Sequence, residues 1–435
     1  MAGFAALVAR SIRSTANRAY LWYAPILFTA TGLLFAKSLV YARLFSVESF
    51  GALNQALLVA TTFGNFAGAG LQLLGHKLLP QYYARGQADL AANLLACSSR
   101  FFGVAAVIGA VVIGVAVLFG WLHGAGLWSA ALLYAVAQAA FMLRLIDIKS
   151  RLRFLEHARL SSARAVIILT VGGTIAATSH NVTATLAVEG LVTLLLATPL
   201  YFGSRGGEIR RKSFGSQSSD GWLAANLPAA LSLLWLNGTL TLLYAIDRWA
   251  GMALLDQHEY GIYSLGLVIL VVFETLQAVV NVAAYPLMGR MIAEGQHQRA
   301  FRLATLATLV VGSLTAVLYI PFVLGLDSIL RAYLPAYLAS SAVIKLAVLA
   351  GSLRLADFYA SFAILCNEEH RLAWLFGALT LLATGGFLIA SRVEHIQFDP
   401  FRMGCVTLTV AICAFAVNLS VATRAWRRLS PLVLA

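Results

Sequence analysis

A few ionisable side chains in this chain stand inside long apolar runs, and any chemistry would centre on them. Lys37, Glu189, Asp247, Arg248, Glu274, Lys345, Arg354 and Asp357 all sit within otherwise hydrophobic stretches. In hydrocarbon each would cost roughly 2.5–3.5 kcal/mol on insertion scales, so such groups turn towards a protein interior or a watery cavity. Two kinds of work suit them. Arginine holds an anion, because its guanidinium fork meets phosphate oxygens in a bidentate way, and Arg248 and Arg354 are the candidates. A carboxylate such as Glu274 or Asp247 carries a coupling proton or sodium ion. Arg354 and Asp357 are three apart and can pair on one helix face. Lys345 lies nine residues before Arg354, ~180° round a helix, and is expected to snorkel to the outer surface.

Uncharged polar residues add a pattern. Glu274, Gln277 and Asn281 fall at i, i+3 and i+7 and make one stripe on a helix. Asn65 and Gln72 are also seven apart, at the equivalent place in the first half of the chain. These stripes read either as hydrogen-bond glue between helices, at ~0.6 kcal/mol per contact, or as a cavity wall. Four cysteines form no CxxC pair, and His123, His180, His258 and His395 lie on four different loops. No metal site, cofactor or enzymatic nucleophile is expected from that arrangement.

These residues need elements to hold them. The 435 residues are 60% hydrophobic and 11% charged, with a mean hydropathy of +0.82, against roughly 25% charged in soluble domains. Lipid admits only helices or closed barrels, and the apolar runs are continuous rather than alternating, so helices are predicted. The runs place spans near 19–41, 52–74, 101–121, 126–146, 163–180, 182–203, 222–250, 260–286, 303–326, 338–365, 371–391 and 403–424. The first is too long for a signal-peptide core. The predicted fold is therefore all-α and polytopic, with about 12 transmembrane helices. A Ser- and Gly-rich stretch, 204–221, reads as a cytoplasmic linker between lobes 1–203 and 222–435. Pro25 in the first span, and Pro228 with Gly238 in the seventh, are candidate bends.

Basic residues orient the chain. With the N-terminus inside, twenty-two Lys and Arg fall on cytoplasmic segments, and only Arg43, Arg331, Arg392 and Arg402 fall outside. Both termini are predicted to be cytoplasmic, and the +13 net charge needs no nucleic acid to explain it. The densest segments, Lys149–Arg164 and Arg205–Lys212, are expected to lie against anionic headgroups.

The halves also repeat. Phe50-Gly51-Ala52-Leu53 corresponds to Tyr260-Gly261-Ile262-Tyr263 at an offset of 210, and Ala84-Arg85-Gly86-Gln87 to Ala293-Glu294-Gly295-Gln296 at 209. Six helices per half make a parallel repeat, an architecture that places its site between the halves. Carried back without gaps, the 210 offset sets Lys37 opposite Asp247. Such a pair can act as a gate, unless Lys37 snorkels and Asp247 pairs with Arg248.

Leu44-Phe45-Ser46-Val47-Glu48-Ser49-Phe50-Gly51-Ala52-Leu53 resembles the loop after the first helix of O-antigen and exopolysaccharide flippases. These form the polysaccharide transporter family of the MOP, MATE-like, exporter superfamily. Asp247-Arg248-Trp249 with Glu259-Tyr260-Gly261-Ile262-Tyr263-Ser264-Leu265 resembles that family's seventh-helix signature. Tyr285-Pro286-Leu287, Arg290 and Glu294-Gly295 resemble the end of its eighth helix. The resemblance implies two six-helix lobes around a central cavity in the bacterial inner membrane. The implied activity is translocation of undecaprenyl-diphosphate-linked oligosaccharides, with a polysaccharide polymerase and chain-length machinery as partners beside the membrane lipids. Twelve helices fit less well with the fourteen-helix peptidoglycan-precursor flippases. Two other readings stay open: a cation-coupled multidrug exporter of the same superfamily, and a membrane polymerase or ligase. The latter would need a large outer loop where this chain shows only short ones.

Overall fold

The computed structural model describes residues 15–119, 124–199, 217–392 and 398–429. Arg10, Arg13, His123, Arg205 to Lys212, His395 and most of the predicted linker lie outside them. Twelve helical rods follow one another. They are α1 (Thr15–Leu44), α2 in two arms (Val47–Ala67 and Leu71–Ala84), α3 (Ala88–Leu118), α4 (Ala125–Ser150), α5 (Phe154–Ser179) and α6 (Val182–Ala197). Then come α7 (Gln217–Leu254), α8 (Gln257–Ala293), α9 (His297–Tyr333), α10 (Pro335–Leu365), α11 (Glu369–Ala390) and α12 (Pro400–Leu429). The described residues form no strand. Among the described residues, nine helices are long and apolar enough to cross a bilayer, ten if the two arms of α2 count as one span. The chain is thus an all-α, multi-pass integral membrane protein.

Local chemistry sets several boundaries. The Asn181 side chain accepts from Ala184 N at 3.0 Å to start α6, and Asp256 accepts from Glu259 N at 2.7 Å to start α8. Both are side-chain caps on donors that a helix start leaves unpaired. α2 and α8 end in the same turn. Gly86 (φ +70) and Gly295 (φ +75) each take the left-handed position. Gln87 N donates to Tyr82 O and Gln296 N to Met291 O, both at 2.8 Å. That is one Schellman cap built twice, at the offset at which the sequences match.

Two predicted spans are broken. α2 bends by 53° at residues 68–70, where Ala69 (φ +45) and Gly70 (φ +79) leave the helical region. α10 stops at Leu355 and restarts at Tyr359. α5 carries a π-turn over Ile168–Gly172, while α1 and α7 run through Pro25 and Pro228 as continuous helices.

Contacts divide the chain into two compact units, one of residues 1–40 and 56–234 and the other of residues 41–55 and 235–435. The α1–α2 turn therefore belongs to the second unit. There the starts of α2 and α8 cross at their glycines. A Cβ on Gly51 would lie 2.6 Å from Gln257 O, and one on Gly261 would lie 2.1 Å from Val47 O. Beside them Glu48 and His258 make a 2.6 Å contact. Each of these pairs is separated by or close to 210 residues, so the repeat meets itself at this crossing.

Backbone cannot move aside as a side chain can, and overpacking of this kind costs typically 1–3 kcal/mol. Gly261→Ala should therefore lower the melting temperature in detergent. Gly103→Ala, where nothing lies within 4 Å, should leave it unchanged or raised. Equal melting curves for the two variants would count against the crossing.

Candidate functional site

In the second unit, α7, α8 and α12 surround Asp247. The residue is 2% exposed. Its Oδ1 accepts from the backbone N of Arg248 at 2.9 Å, and its Oδ2 from the hydroxyls of Tyr263 (2.8 Å) and Thr407. Among the described residues Asp247 is in no ion pair; hydroxyls and a backbone dipole hold it instead. The one Thr407 proton has three acceptors within reach, Asp247 Oδ2, the Met403 carbonyl at 3.1 Å and the Tyr263 oxygen at 3.0 Å. The hydroxyl can therefore donate to Asp247, or turn its proton to Met403 and present its oxygen to Asp247 as an acceptor.

The break in α10 builds a second polar cluster. Asp357 lies in it, 4% exposed, and caps the restarting helix by accepting from Ala360 N at 3.3 Å. Asn418 of α12 donates to its other oxygen at 2.6 Å, and Asn418 Oδ1 is buried with no partner among the described residues. Arg354 ends the preceding segment. Its guanidinium stands 4.1 Å over the Tyr244 ring and 3.5 Å from Glu274 Oε1. The predicted Arg354–Asp357 pair does not form. Spacing of three brings side chains together only on a continuous helix, and this one is interrupted between them. Gln277 donates at 2.7 Å to the Arg354 carbonyl, which in the turn at the break also accepts from Asp357 N at 3.2 Å, and Asn281 accepts from Ser361 at 3.4 Å. The α8 stripe thus faces the break. Lys345 reaches the half-exposed Asp327 of α9 at 3.2 Å.

Arg248 Nε and Arg354 Nε are both buried without a hydrogen-bond partner among the described residues. A buried charged donor left unmatched costs free energy, and an anion's oxygens would satisfy it.

The first unit is held differently. Lys37 of α1 donates to both oxygens of Glu189 of α6, at 2.9 and 3.1 Å, and both residues are buried. Lys37 and Asp247, predicted as a gate, are therefore each engaged inside their own unit. Arg164 is a further intramembrane charge. Counted in sequence with a headgroup-facing basic run, it is buried instead, donating to Thr193 at 3.0 Å and lying 5.0 Å from the Phe141 ring. Its position ten residues into α5 is the signal, visible only once the helix is started at Phe154. Gln72 donates to the Ala139 carbonyl at 3.1 Å, while Asn65 is exposed on the other arm of the bent α2. The seven-residue spacing therefore does not describe one face there. Among the described residues no three His, Cys, Asp or Glu side chains come together as a metal would need.

Removing one partner of a buried ion pair costs about 3–5 kcal/mol, whereas replacing both with apolar groups is often neutral. Glu189→Gln should therefore lower thermal stability sharply, and Lys37→Met combined with Glu189→Met should recover most of it. A double variant as unstable as the single would argue against the pair.

No family model and no curated protein matches the chain. Solved structures do. One is the inward-facing conformation of a multidrug resistance MATE family transporter of the MOP superfamily. It is 15% identical, with a TM-score of 0.60, and the alignment covers 95% of this chain and 99% of the other. A mutant of the Vibrio cholerae MATE transporter VcmN is 12% identical with a TM-score of 0.58, over 94% and 97% of the two chains. A MOP superfamily transporter from Pyrococcus furiosus, described as having a binding pocket of reverse polarity that suggests a different function, is 13% identical, with a TM-score of 0.56 over 97% of each chain. Cover this complete at such low identity shows a shared architecture: the chain has the fold of the MATE-type transporters of the MOP superfamily.

Proposed function

We propose that this protein is a cation-coupled exporter of the inner membrane, with six helices per lobe and both termini in the cytoplasm. The observation that carries this reading is Asp247. A carboxylate taken out of water is stable as an anion only with compensation. Here hydroxyls and a backbone amide provide it, in an arrangement that also accommodates the protonated acid. Asp357, buried against Asn418 with an unpaired amide oxygen beside it, supplies a second place for a cation. Uptake from outside and release inside would change the charge of the second unit and bias it between conformations, which is what coupling requires. The similar solved structures include multidrug transporters, and a greasy cation is the cargo that this reading inherits from them.

In proteoliposomes, an imposed proton or sodium gradient should drive efflux of a cationic dye. Asp247→Asn should reduce the gradient-driven rate at least tenfold with insertion unchanged, and Asp357→Asn should do so less completely. Thr407→Val should shift the pH at which transport is half-maximal. Driven transport that survives both asparagine variants would overturn the assignment.

A second reading concerns the cargo, and the unpaired Nε atoms of Arg248 and Arg354 favour it. A diphosphate-linked oligosaccharide lipid offers oxygens to both guanidinium groups and hydroxyls to Gln277 and Asn281, in agreement with the sequence resemblance to polysaccharide flippases. A deletion strain should accumulate lipid-linked repeat units. Arg354→Ala should fail to clear them, and Arg354→Lys should clear them in part, because a point charge lacks the fork. Normal lipid-linked pools in the deletion strain would leave the multidrug cargo standing.

A further inference from the structure

We infer that the first unit carries a dedicated binding site for an anionic phospholipid, built where α4 and α6 end and α5 begins. A cavity of about 420 Å³ opens there, lined by Arg144, Arg153, Glu156, Arg159, Leu160 and Ala163. Three guanidinium groups face one carboxylate, so the cavity is net positive. Glu156 is committed to Arg153 in an ion pair. Arg144 is held in place by donating Nη1 to the Leu196 carbonyl in the last turn of α6, which leaves the rest of its fork for a ligand. Arg159 is exposed and, among the described residues, makes no ion pair or side-chain hydrogen bond.

The flank of this cavity identifies the occupant. Beside the arginines, two of the three helices carry exposed apolar side chains: Val166 (45% exposed) on α5, and Leu195 (68%) and Leu191 (49%) on α6. Arg159, Ala163 and Val166 stand at i, i+4 and i+7, so charge and grease share one face of α5. A soluble phosphate would use only the arginines. A phospholipid uses both parts: its phosphodiester meets the guanidinium groups bidentately, and its acyl chains cover the leucines. The site rests on residues of the first unit alone and does not depend on the cargo or coupling assigned above.

The test uses the full chain in detergent, with cardiolipin, phosphatidylcholine or inorganic pyrophosphate added, read by native mass spectrometry and by melting temperature. Cardiolipin should bind and raise the melting temperature; phosphatidylcholine and pyrophosphate should do neither. Arg153→Gln with Arg159→Gln should weaken cardiolipin binding about thirtyfold, at about fivefold for each surface arginine. Both side chains are exposed, so the lipid-free melting temperature should not move. Arg424→Gln with Arg427→Gln, on α12 of the second unit, should bind as the parent does, and so should Arg354→Ala. Equal binding of pyrophosphate would make this a free-anion site. Equal binding of phosphatidylcholine, or undiminished cardiolipin binding by the Arg153/Arg159 double variant, would likewise overturn the inference.

Discussion

A charge buried among helices must find a counter-charge or a set of dipoles within reach, and in this protein that demand decides which helices are tied together. Lys37 and Glu189 tie α1 to α6. Asp247 and Thr407 tie α7 to α12. Arg354 and Glu274 tie α10 to α8, Lys345 and Asp327 tie α10 to α9, and Asp357 and Asn418 tie α10 to α12. Between helices that share a lipid solvent, apolar contact gives little drive to associate, so polar ties of this kind weigh more than they would in a water-soluble core. For Lys37–Glu189, buried on both sides, losing one partner costs about 3–5 kcal/mol, against a total stability of roughly 5–15 kcal/mol for a folded protein. These residues are therefore structural members first, and whatever else they do must be compatible with that.

Where the helices break, the same accounting applies to the backbone. A carbonyl without a partner cannot be left facing hydrocarbon. The α10 interruption is tolerated because Gln277 reaches the Arg354 carbonyl and the Asp357 side chain caps the restart. A polar cluster is thus both the condition for the break and its product. The break turns Arg354 towards Tyr244 and Glu274 and Asp357 towards Asn418, giving a cation and a carboxylate separate surroundings three residues apart. A continuous helix would have let them neutralise each other.

The number and order of the helices were readable from the sequence because continuous apolar runs of spanning length admit few alternatives. The repeat was readable too, down to the Gly86 and Gly295 turns, since a left-handed cap demands glycine at a fixed place. Other features depended on geometry that local patterns do not encode. Glu189 lies 152 residues from Lys37, and no spacing rule connects residues on α1 and α6. The Arg354–Asp357 expectation failed because nothing local marked the interruption at 356–358. Arg164 was misplaced because α5 begins about nine residues earlier than its apolar run, so a basic residue inside the helix was read with the loop before it. The bend in α2 similarly separated Asn65 from Gln72.

The repeat and the chemistry diverge in an instructive way. In both units the first helix is tied to the sixth, α1 to α6 and α7 to α12, and the 210 offset sets Lys37 at the position of Asp247. The architecture of the tie is therefore duplicated while its content is not. In the first unit a lysine meets a glutamate at 2.9 Å. Such a pair is net neutral. In the second unit the corresponding tie is a carboxylate against two hydroxyls, with no counter-charge in it. The two ties of the duplicated scaffold therefore differ in kind, one an ion pair and the other a hydrogen-bonded carboxylate. The repeat thus keeps which helices are joined and leaves the chemistry of the joint free to differ between the units.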